Sequence, residues 1–136
     1  MIPLNIKTNG IQTEYPSPLP KFRKAPKSLS LITYTLSQKV IQELNELVVK
    51  GTHIRCCAAK VEGRLHTAKF PILIRQQCHA KIWLIDKKVY IGSANLTADT
   101  IFNVMFEVTC KKKKDVIQLV DDIFNLSQRK WRNIII

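Results

Sequence analysis

The fold of this chain is decided by residues 79 to 95, which read HAKIWLIDKKVYIGSAN. The apolar run at 82–85 predicts a strand that is buried on both faces of a sheet. Polar residues at 86–88 then predict a turn, and the apolar residues 89–91 predict a second strand. The stretch therefore predicts a β-hairpin.

Chemically useful side chains collect at the ends of this predicted hairpin. His79 and Lys81 stand two apart, so on an extended strand both would project from the same face. After Gly92, Ser93 and Asn95 supply short polar groups and can expose backbone N–H donors. A histidine, a lysine and a Gly-Ser-x-Asn turn are suited to binding and attacking a phosphodiester.

The spacing of these residues resembles the active-site motif of the phospholipase D superfamily. The shared pattern is His79-x-Lys81, four residues, Asp86, and then Gly92-Ser93-x-Asn95. The SANLT ending at 93–97 and the acidic Glu107 are also similar to that family. One departure is that five residues separate Asp86 from Gly92, where many members have one more, and a shorter turn would absorb it. Asp86 is expected to hold the hairpin in place.

The resemblance implies a phosphodiesterase that works through a covalent intermediate. His79 would be the nucleophile and form a phosphohistidine, and Glu107 would accept its Nδ1 proton and orient the ring. Lys81 and Asn95 would bind the non-bridging phosphate oxygens, with Ser93 close enough to contribute. No metal or other cofactor is expected, because histidine and lysine take the place of a metal ion.

The same scheme needs a second histidine to protonate the leaving oxygen. The chain holds one copy of the motif, and neither His53 nor His66 has the neighbours of His79. The second histidine is therefore expected from another subunit, and a C2 homodimer would bring two copies of His79 together across its axis. Short family members with one motif per chain are similar: they are homodimeric and often nucleases.

The charge of the chain predicts a polyanionic partner. Its 22 Lys and Arg against 10 Asp and Glu give a net charge of +12, and the sequence pI is near 9.8. Residues 1–27, 28–110 and 111–136 each carry an excess of +4 (five basic and one acidic, ten and six, seven and three). An excess spread this evenly should attract polyanions. Anionic membranes would also qualify, but no amphipathic basic helix with Trp or Phe on its apolar face stands out, so nucleic acid, DNA or RNA, is the better partner.

Candidate phosphate contacts lie at the predicted turn and before the last predicted helix. They are Lys87, Lys88, Lys111, Lys112, Lys113 and Lys114. For the run of four lysines, a solvated face is an equally good interpretation. Trp131 among basic residues could stack on a base, although packing at a helix end is the commoner outcome.

Composition also limits where the protein acts. No run of 18 or more apolar residues occurs, and the N-terminus lacks an apolar signal-peptide core, so we expect a cytoplasmic protein without stable membrane association. The four cysteines are Cys56, Cys57, Cys78 and Cys110. Their strand-like apolar settings favour reduced core thiols over disulfides. A zinc site is disfavoured because no Cys-x-x-Cys or His-x₃-His spacing exists.

The order of elements predicts an α/β domain. Residues 29–35 predict a strand, Ser37 suits the N-cap of a helix, Gly51 suits its C′ position, and 53–59 predict a second strand. Strand, helix, strand in that order predicts a right-handed crossover. We expect a mixed, mostly parallel sheet flanked by helices, a phospholipase D-like half that a homodimer completes.

Further elements are expected around this unit. We predict a short strand at 71–75, a helical turn at 96–102, a strand with Glu107 at 104–110 and a helix at 115–128. The predicted buried stripe of that helix is Val116, Leu119, Val120, Ile123 and Phe124.

The chain is expected to divide at residue 27. Residues 1–27 hold five of the six prolines and predict a basic, extended arm without a packed element. Residues 28–136 are expected to form one catalytic domain, whose last three isoleucines, 134–136, suggest a final strand or a subunit contact.

Several interpretations of the motif remain open. His79 and Lys81 could simply be solvent-exposed residues of a basic hairpin at the edge of a sheet. Alternatively, the fold could bind nucleic acid without turnover. A phospholipid or another small diester could replace nucleic acid as the substrate. The sequence does not discriminate DNA from RNA, or single from double strands.

Overall fold

The structure is a computed structural model, and it describes residues 10–13, 18–97, 103–109 and 111–125. Within these ranges, seven strands form one sheet, accompanied by two α-helices and a 3₁₀ turn at Leu65–Thr67. The strands are β1 (Gly10–Thr13), β2 (Ser28–Ser37), β3 (His53–Glu62), β4 (Ile72–Ile74), β5 (Ile82–Ile85), β6 (Lys88–Gly92) and β7 (Asn103–Glu107). The helices are α1 (Gln38–Val49) and α2 (Lys113–Asn125).

The strands follow the order β1-β7-β6-β5-β2-β3-β4 across the sheet. β2, β3 and β4 run parallel, whereas β1–β7, β7–β6, β6–β5 and β5–β2 are antiparallel pairings. The expected α/β class with a mixed sheet is confirmed, but the expectation of a mostly parallel sheet is wrong. The predicted hairpin is one reason, because a two-residue turn can join only antiparallel neighbours.

The strand-helix-strand unit forms as its sequence predicts. Ser37 is the N-cap of α1, and its hydroxyl accepts a hydrogen bond from the Val40 backbone N–H at 3.4 Å. Gly51 has a φ of +98°, the left-handed conformation that ends a helix and favours glycine. The predicted short strand after residue 71 is β4, which pairs parallel with β3.

Two apolar clusters cover the two faces of the sheet. Alternation along β2 sends Leu29 and Leu31 into the cluster beneath α1, and Ile32 into the cluster beneath α2. Trp83 of β5 is fully buried in the first cluster. Each such side chain contributes roughly 1.5–3 kcal/mol by burial, which fixes the strands that carry the hairpin motif.

Helix α2 packs on the sheet through a stripe in which Ile117 takes the place of the predicted Leu119. Val120 and Ile123 are buried, and Val116 and Phe124 pack partly buried against the same cluster. Leu119 was expected in this stripe but is 49% exposed, because it stands on the flank of the helix next to Val120. A polar link adds to the contact: the guanidinium of Arg55 in β3 donates to Asp121 at 2.6 Å and lies 4.3 Å from the ring centre of Phe124.

Part of the N-terminal arm is packed, which differs from the prediction for residues 1–27. Residues Gly10–Thr13 form β1, the edge strand that pairs with β7. Leu19 is only 8% exposed and belongs to the core, and Phe22 packs against it. Leu19 and Phe22 stand among prolines in the sequence, so no periodic apolar pattern indicated that they would be packed. The division of the chain at residue 27 stays a prediction.

Some predicted elements end differently or lie elsewhere. Strand β7 ends at Glu107 rather than at 110. The expected helical turn falls mainly on residues 98–102, which lie outside the described residues. The same is true of Cys110, Trp131 and the isoleucines at 134–136. Of the helices that the structure describes, neither is long and apolar enough to cross a membrane.

Candidate active site

The hairpin brings the two ends of the motif together at one end of the sheet. The backbone N–H of Gly92, at the end of β6, donates to the carbonyl of Lys81 at 3.3 Å. Strand β5 begins only at Ile82, so His79 and Lys81 precede it. The expected strand therefore does not include this pair. The Lys81 ammonium donates to the His79 carbonyl at 3.1 Å.

The ring of His79 lies against an aromatic side chain of β2. Its imidazole and the phenol ring of Tyr34 are stacked, with centroids 4.9 Å apart and planes 9° from parallel. His79 itself is exposed, whereas Tyr34 is half-buried. The stack fixes the plane of the imidazole without using either ring nitrogen, so both nitrogens can serve chemistry.

Ser93 is fixed by the neighbouring strand β7. Its backbone N–H donates to the carbonyl of Val104 at 3.0 Å, and its hydroxyl accepts from the Val104 N–H at 3.1 Å. The close approach of β6 and β7 explains the glycine before it, because a Cβ on Gly92 would clash with the Val104 carbonyl and lie 2.8 Å from the Met105 Cα. The Ser93 hydroxyl proton can still be donated to a bound anion.

Asn95 is held by the carboxyl-terminal part of β2. Its side-chain oxygen accepts from the hydroxyl of Thr33 and the backbone N–H of Thr35, both at 3.4 Å. The next residue, Leu96, donates its backbone N–H to the Thr33 hydroxyl at 3.1 Å. His79 and Asn95 thus both contact residues 33–35, which places them at the same end of the sheet.

Glu107 does not reach His79. It pairs with Tyr90, whereas Gly92, the residue beside Lys81, pairs with Met105. Glu107 is thus two residues, roughly 7 Å, along β7 from the level of Lys81. Across 18–97 and 103–109, no hydrogen bond or ion pair joins Glu107 to His79. The Glu107 charge acts on Tyr90 instead. Burial raises the pKa of Tyr90, and the negative charge of Glu107 raises it further.

Asp86 lies at the opposite end of the hairpin and has a structural role. One carboxylate oxygen accepts from the backbone N–H groups of Lys27 at 2.8 Å and Ser28 at 3.0 Å. The residue has a φ of +51°, which aspartate tolerates better than most side chains. Asp86 therefore ties the hairpin turn to the start of β2, about 16 Å along β5 from Lys81.

Comparisons with known proteins bear on the fold of this chain. Neither a protein-family model nor a curated protein sequence matches the chain. Similar solved structures include the phospholipase D family member Nuc from Salmonella typhimurium, with 18% identity and a TM-score of 0.54, covering 74% of this chain and 80% of that chain. The chain has a phospholipase D-like fold.

Two further structures match the same phospholipase D-like fold. NucT from Helicobacter pylori is 12% identical with a TM-score of 0.55, covering 74% of this chain and 80% of that chain. A polyphosphate kinase from Porphyromonas gingivalis is 16% identical with a TM-score of 0.54, covering 69% of this chain and 18% of that chain. At these identities the likeness concerns the fold alone.

The candidate phosphate-binding lysines lie at different places in this phospholipase D-like fold. Lys87 and Lys88 are exposed at the hairpin turn, far from His79. Lys111 and Lys112 are also exposed, and Lys113 and Lys114 open helix α2. The Lys112 ammonium lies 3.9 Å from the Asp115 carboxylate, both solvent-exposed, so this pair contributes little to stability.

Three of the four cysteines lie in the two core clusters of the described residues. Cys56, Cys57 and Cys78 are buried and free, as predicted for core thiols. Burial, together with the charge of Cys78, raises the pKa of the Cys56 thiol to about 12. A hydrogen bond between Cys57 and Cys78 raises the pKa of Cys57 and lowers that of Cys78. In the part of the chain that the structure describes, no group of three or more His, Cys, Asp or Glu is placed to hold a metal ion.

Sequence reasoning missed three residues that build the site. Tyr34 stacks on His79, and Thr33 and Thr35 hold Asn95. All three lie in β2, 44 or more positions before His79 in the chain. Their types are common in strands, so the sequence carries no signal that would single them out.

Proposed function

We propose that this protein is a metal-independent phosphodiesterase, a non-specific endonuclease that cleaves DNA or RNA through a phosphohistidine in a homodimer. The observation that carries the proposal is the convergence of His79, Lys81, Ser93 and Asn95 at one end of the sheet. A nucleophile and three hydrogen-bond donors at the same end of the sheet suit an anionic, tetrahedral substrate. The proposal includes a cytoplasmic location.

The first chemical step forms a bond between His79 and phosphorus. A nitrogen of the exposed imidazole attacks the phosphodiester, and the bond from phosphorus to the leaving oxygen breaks. Lys81, Asn95 and Ser93 stabilise the charge on the non-bridging oxygens. Because the Lys81 ammonium already turns towards the His79 backbone, the positive charge is held next to the reacting group.

The second half of the reaction involves a second copy of the chain. The His79 of the second copy would donate a proton to the leaving oxygen and then accept one from water, which attacks phosphorus and breaks the phosphorus–nitrogen bond. A C2 axis beside His79 would place both rings in one site. The exposure of His79 is compatible with such an assembly.

Two further facts support a phosphodiester substrate, and the second favours a polymeric one. The structures with the same fold include a protein described as a phospholipase D family member, Nuc. The net charge of +12 favours a polyanion over a neutral substrate. Neither fact depends on the details of the site.

A nicking assay in excess EDTA, combined with the molecular mass in solution, tests the proposal. We expect a dimer that nicks plasmid DNA without added metal, and a loss of about 10³-fold or more in His79→Ala. Lys81→Ala and Asn95→Ala should also be severely impaired. His66→Ala is the matched control, because His66 is equally exposed but lies outside the motif. Activity that disappears in EDTA and returns with Mg²⁺ would contradict the mechanism.

A second candidate function is nucleic-acid binding without turnover. It is favoured by one observation, the separation of Glu107 from His79, which leaves the imidazole without the carboxylate that the motif implies. This candidate predicts salt-sensitive binding that His79→Ala leaves intact, and no nicking at any protein concentration. A phospholipid or small-diester substrate is distinguished by assaying vesicles and plasmid side by side.

A further inference from the structure

A cavity of about 850 Å³ lies at the end of the sheet opposite to His79. It is bounded by the hairpin turn, the start of β2 and residues 20–27 of the arm. From Ser28 to Thr35 along β2 the distance is about 23 Å, so the cavity is separate from the candidate active site. Its size is within the usual range of small-ligand sites.

The floor of this cavity is apolar and partly aromatic. Tyr90 and Ile85 are 7% and 9% exposed, and Phe22 of the arm is half-buried beside them. Phe22 is the aromatic ring with an accessible surface, so it is the one on which a flat group could stack. Pro20 and Pro26 add to this apolar surface, and their side chains offer no hydrogen bonds to a polar group of a ligand.

The rim of the cavity is strongly basic. Two segments that are about 60 residues apart in sequence contribute it: Lys24 and Lys27 from the arm, and Lys87 and Lys88 from the hairpin turn. All four lysines are exposed. Asp86 is the one acid among the described residues that line the cavity, and its carboxylate already accepts two backbone N–H groups.

We infer that this cavity binds a nucleotide unit of a single-stranded nucleic acid, with a base on Phe22 and the adjoining phosphates on the four lysines. An aromatic platform beside a basic rim is the arrangement that binds single strands without sequence preference. The inference rests on the proposed function for its choice of nucleic acid as the ligand. It adds a substrate-holding site remote from the reaction, reached by a strand long enough to span about 23 Å.

Binding measured without turnover tests the inference. The full-length chain carrying His79→Ala is titrated with a fluorescent single-stranded oligonucleotide of about twelve nucleotides and with its abasic counterpart, which has the same phosphates. We expect tighter binding of the oligonucleotide with bases, by about fivefold or more. Phe22→Leu, which keeps an apolar side chain in the core contact, should abolish this difference.

The contribution of the rim is tested by charge reversal. Lys87→Glu with Lys88→Glu should weaken binding by about tenfold or more. The matched control is Lys21→Glu with Arg23→Glu, which changes the charge equally on two exposed residues of the same arm that do not line the cavity. Lys87→Gln with Lys88→Gln gives the same test if the reversed variant fails to fold.

Three outcomes would overturn the inference. One is equal binding of the normal and the abasic oligonucleotide. Another is equal weakening of binding by the two charge-reversed double variants. Either result would indicate a general electrostatic attraction rather than a site. The third is tighter binding to vesicles of anionic phospholipid with the same dependence on Phe22. Failure of the proposed function is a separate result: the parent protein would then cleave neither plasmid nor bis(4-nitrophenyl) phosphate, whatever the cavity binds.

Discussion

The imidazole of His79 lies flat against the phenol ring of Tyr34, with centroids 4.9 Å apart and ring planes 9° from parallel. Such aromatic pairs contribute about 0.5–1.5 kcal/mol beyond their buried area. Here the pair joins the exposed start of the motif to a strand of the core. It gives His79 a fixed ring plane that the Glu107 carboxylate, in its observed position, does not provide.

Removing the Tyr34 ring should impair the positioning of His79. We expect Tyr34→Ala to lower the rate of metal-free cleavage about tenfold, because the imidazole then samples other rotamers. Tyr34→Phe keeps the ring and should retain most of the activity. The NMR signals of the His79 ring protons provide a direct readout, since the ring-current shift should vanish in the alanine variant and persist with phenylalanine. Unchanged His79 signals in Tyr34→Ala would refute this role.

A requirement for two copies of His79 can be measured by mixing subunits. If each site needs both histidines, equal amounts of parent and His79→Ala chains that assemble randomly leave about one quarter of the dimers active. Activity per total protein should therefore fall to about one quarter of that of the parent. A fall to only one half would mean that each chain acts alone. Mixing parent with His66→Ala chains controls for any activity that is lost during subunit exchange itself.

Substitution of Asp86 should change stability rather than chemistry. Asp86→Ala removes the acceptor of two backbone N–H groups. It also leaves an alanine at a positive φ, without the side-chain hydrogen bonds that compensate for this backbone conformation. We expect a loss of about 1–3 kcal/mol in the free energy of unfolding, measured by urea denaturation. Asp86→Asn retains an acceptor oxygen and should lose less. A specific cleavage rate that collapses in both folded variants would place Asp86 in the reaction instead.

Alkaline pH should destabilise the fold through Cys56. Its pKa is raised from 9.0 to about 12, mainly by burial, so the folded state favours the protonated thiol. Because the unfolded chain loses this proton first, stability is retained below about pH 9 and declines as pH rises towards 12. The loss should be about 2 kcal/mol at about pH 10.5.

Cys56→Ala is the variant that isolates this effect. It should be less stable near neutral pH because of the cavity, yet lose less stability between about pH 8 and 10.5 than the parent. Some alkaline loss should remain, since the hydrogen bond with Cys78 raises the pKa of Cys57 and burial raises that of Tyr90. Urea denaturation at the two pH values gives the comparison. Identical losses in the two proteins would exclude Cys56 as the source.

The elements with strong local signals were predictable. Ser37 and Gly51 mark the ends of α1 through the short-range hydrogen bond and the backbone conformation that their side chains favour. The hairpin follows from two apolar runs around a polar turn. Asp86 was expected to fix the hairpin, and its contacts with the start of β2 agree with that expectation.

Pairings between distant segments were less predictable. Nothing local distinguishes Gly10–Thr13 as an edge strand, since its partner β7 lies about 90 positions later in the chain. The position of Glu107 likewise depends on the register of β7 against β6, and a shift of two residues decides which groups the carboxylate can contact. Composition could not supply that register.

The sequence by itself determined the residue types, the charge and the local elements, because turns, caps and apolar alternation act over a few neighbouring positions. Only the tertiary structure decided which distant groups meet. It placed Tyr34 against His79, Thr33 and Thr35 against Asn95, and the basic arm beside the hairpin turn. These contacts depend on strand order and register, which are set by packing of the whole sheet.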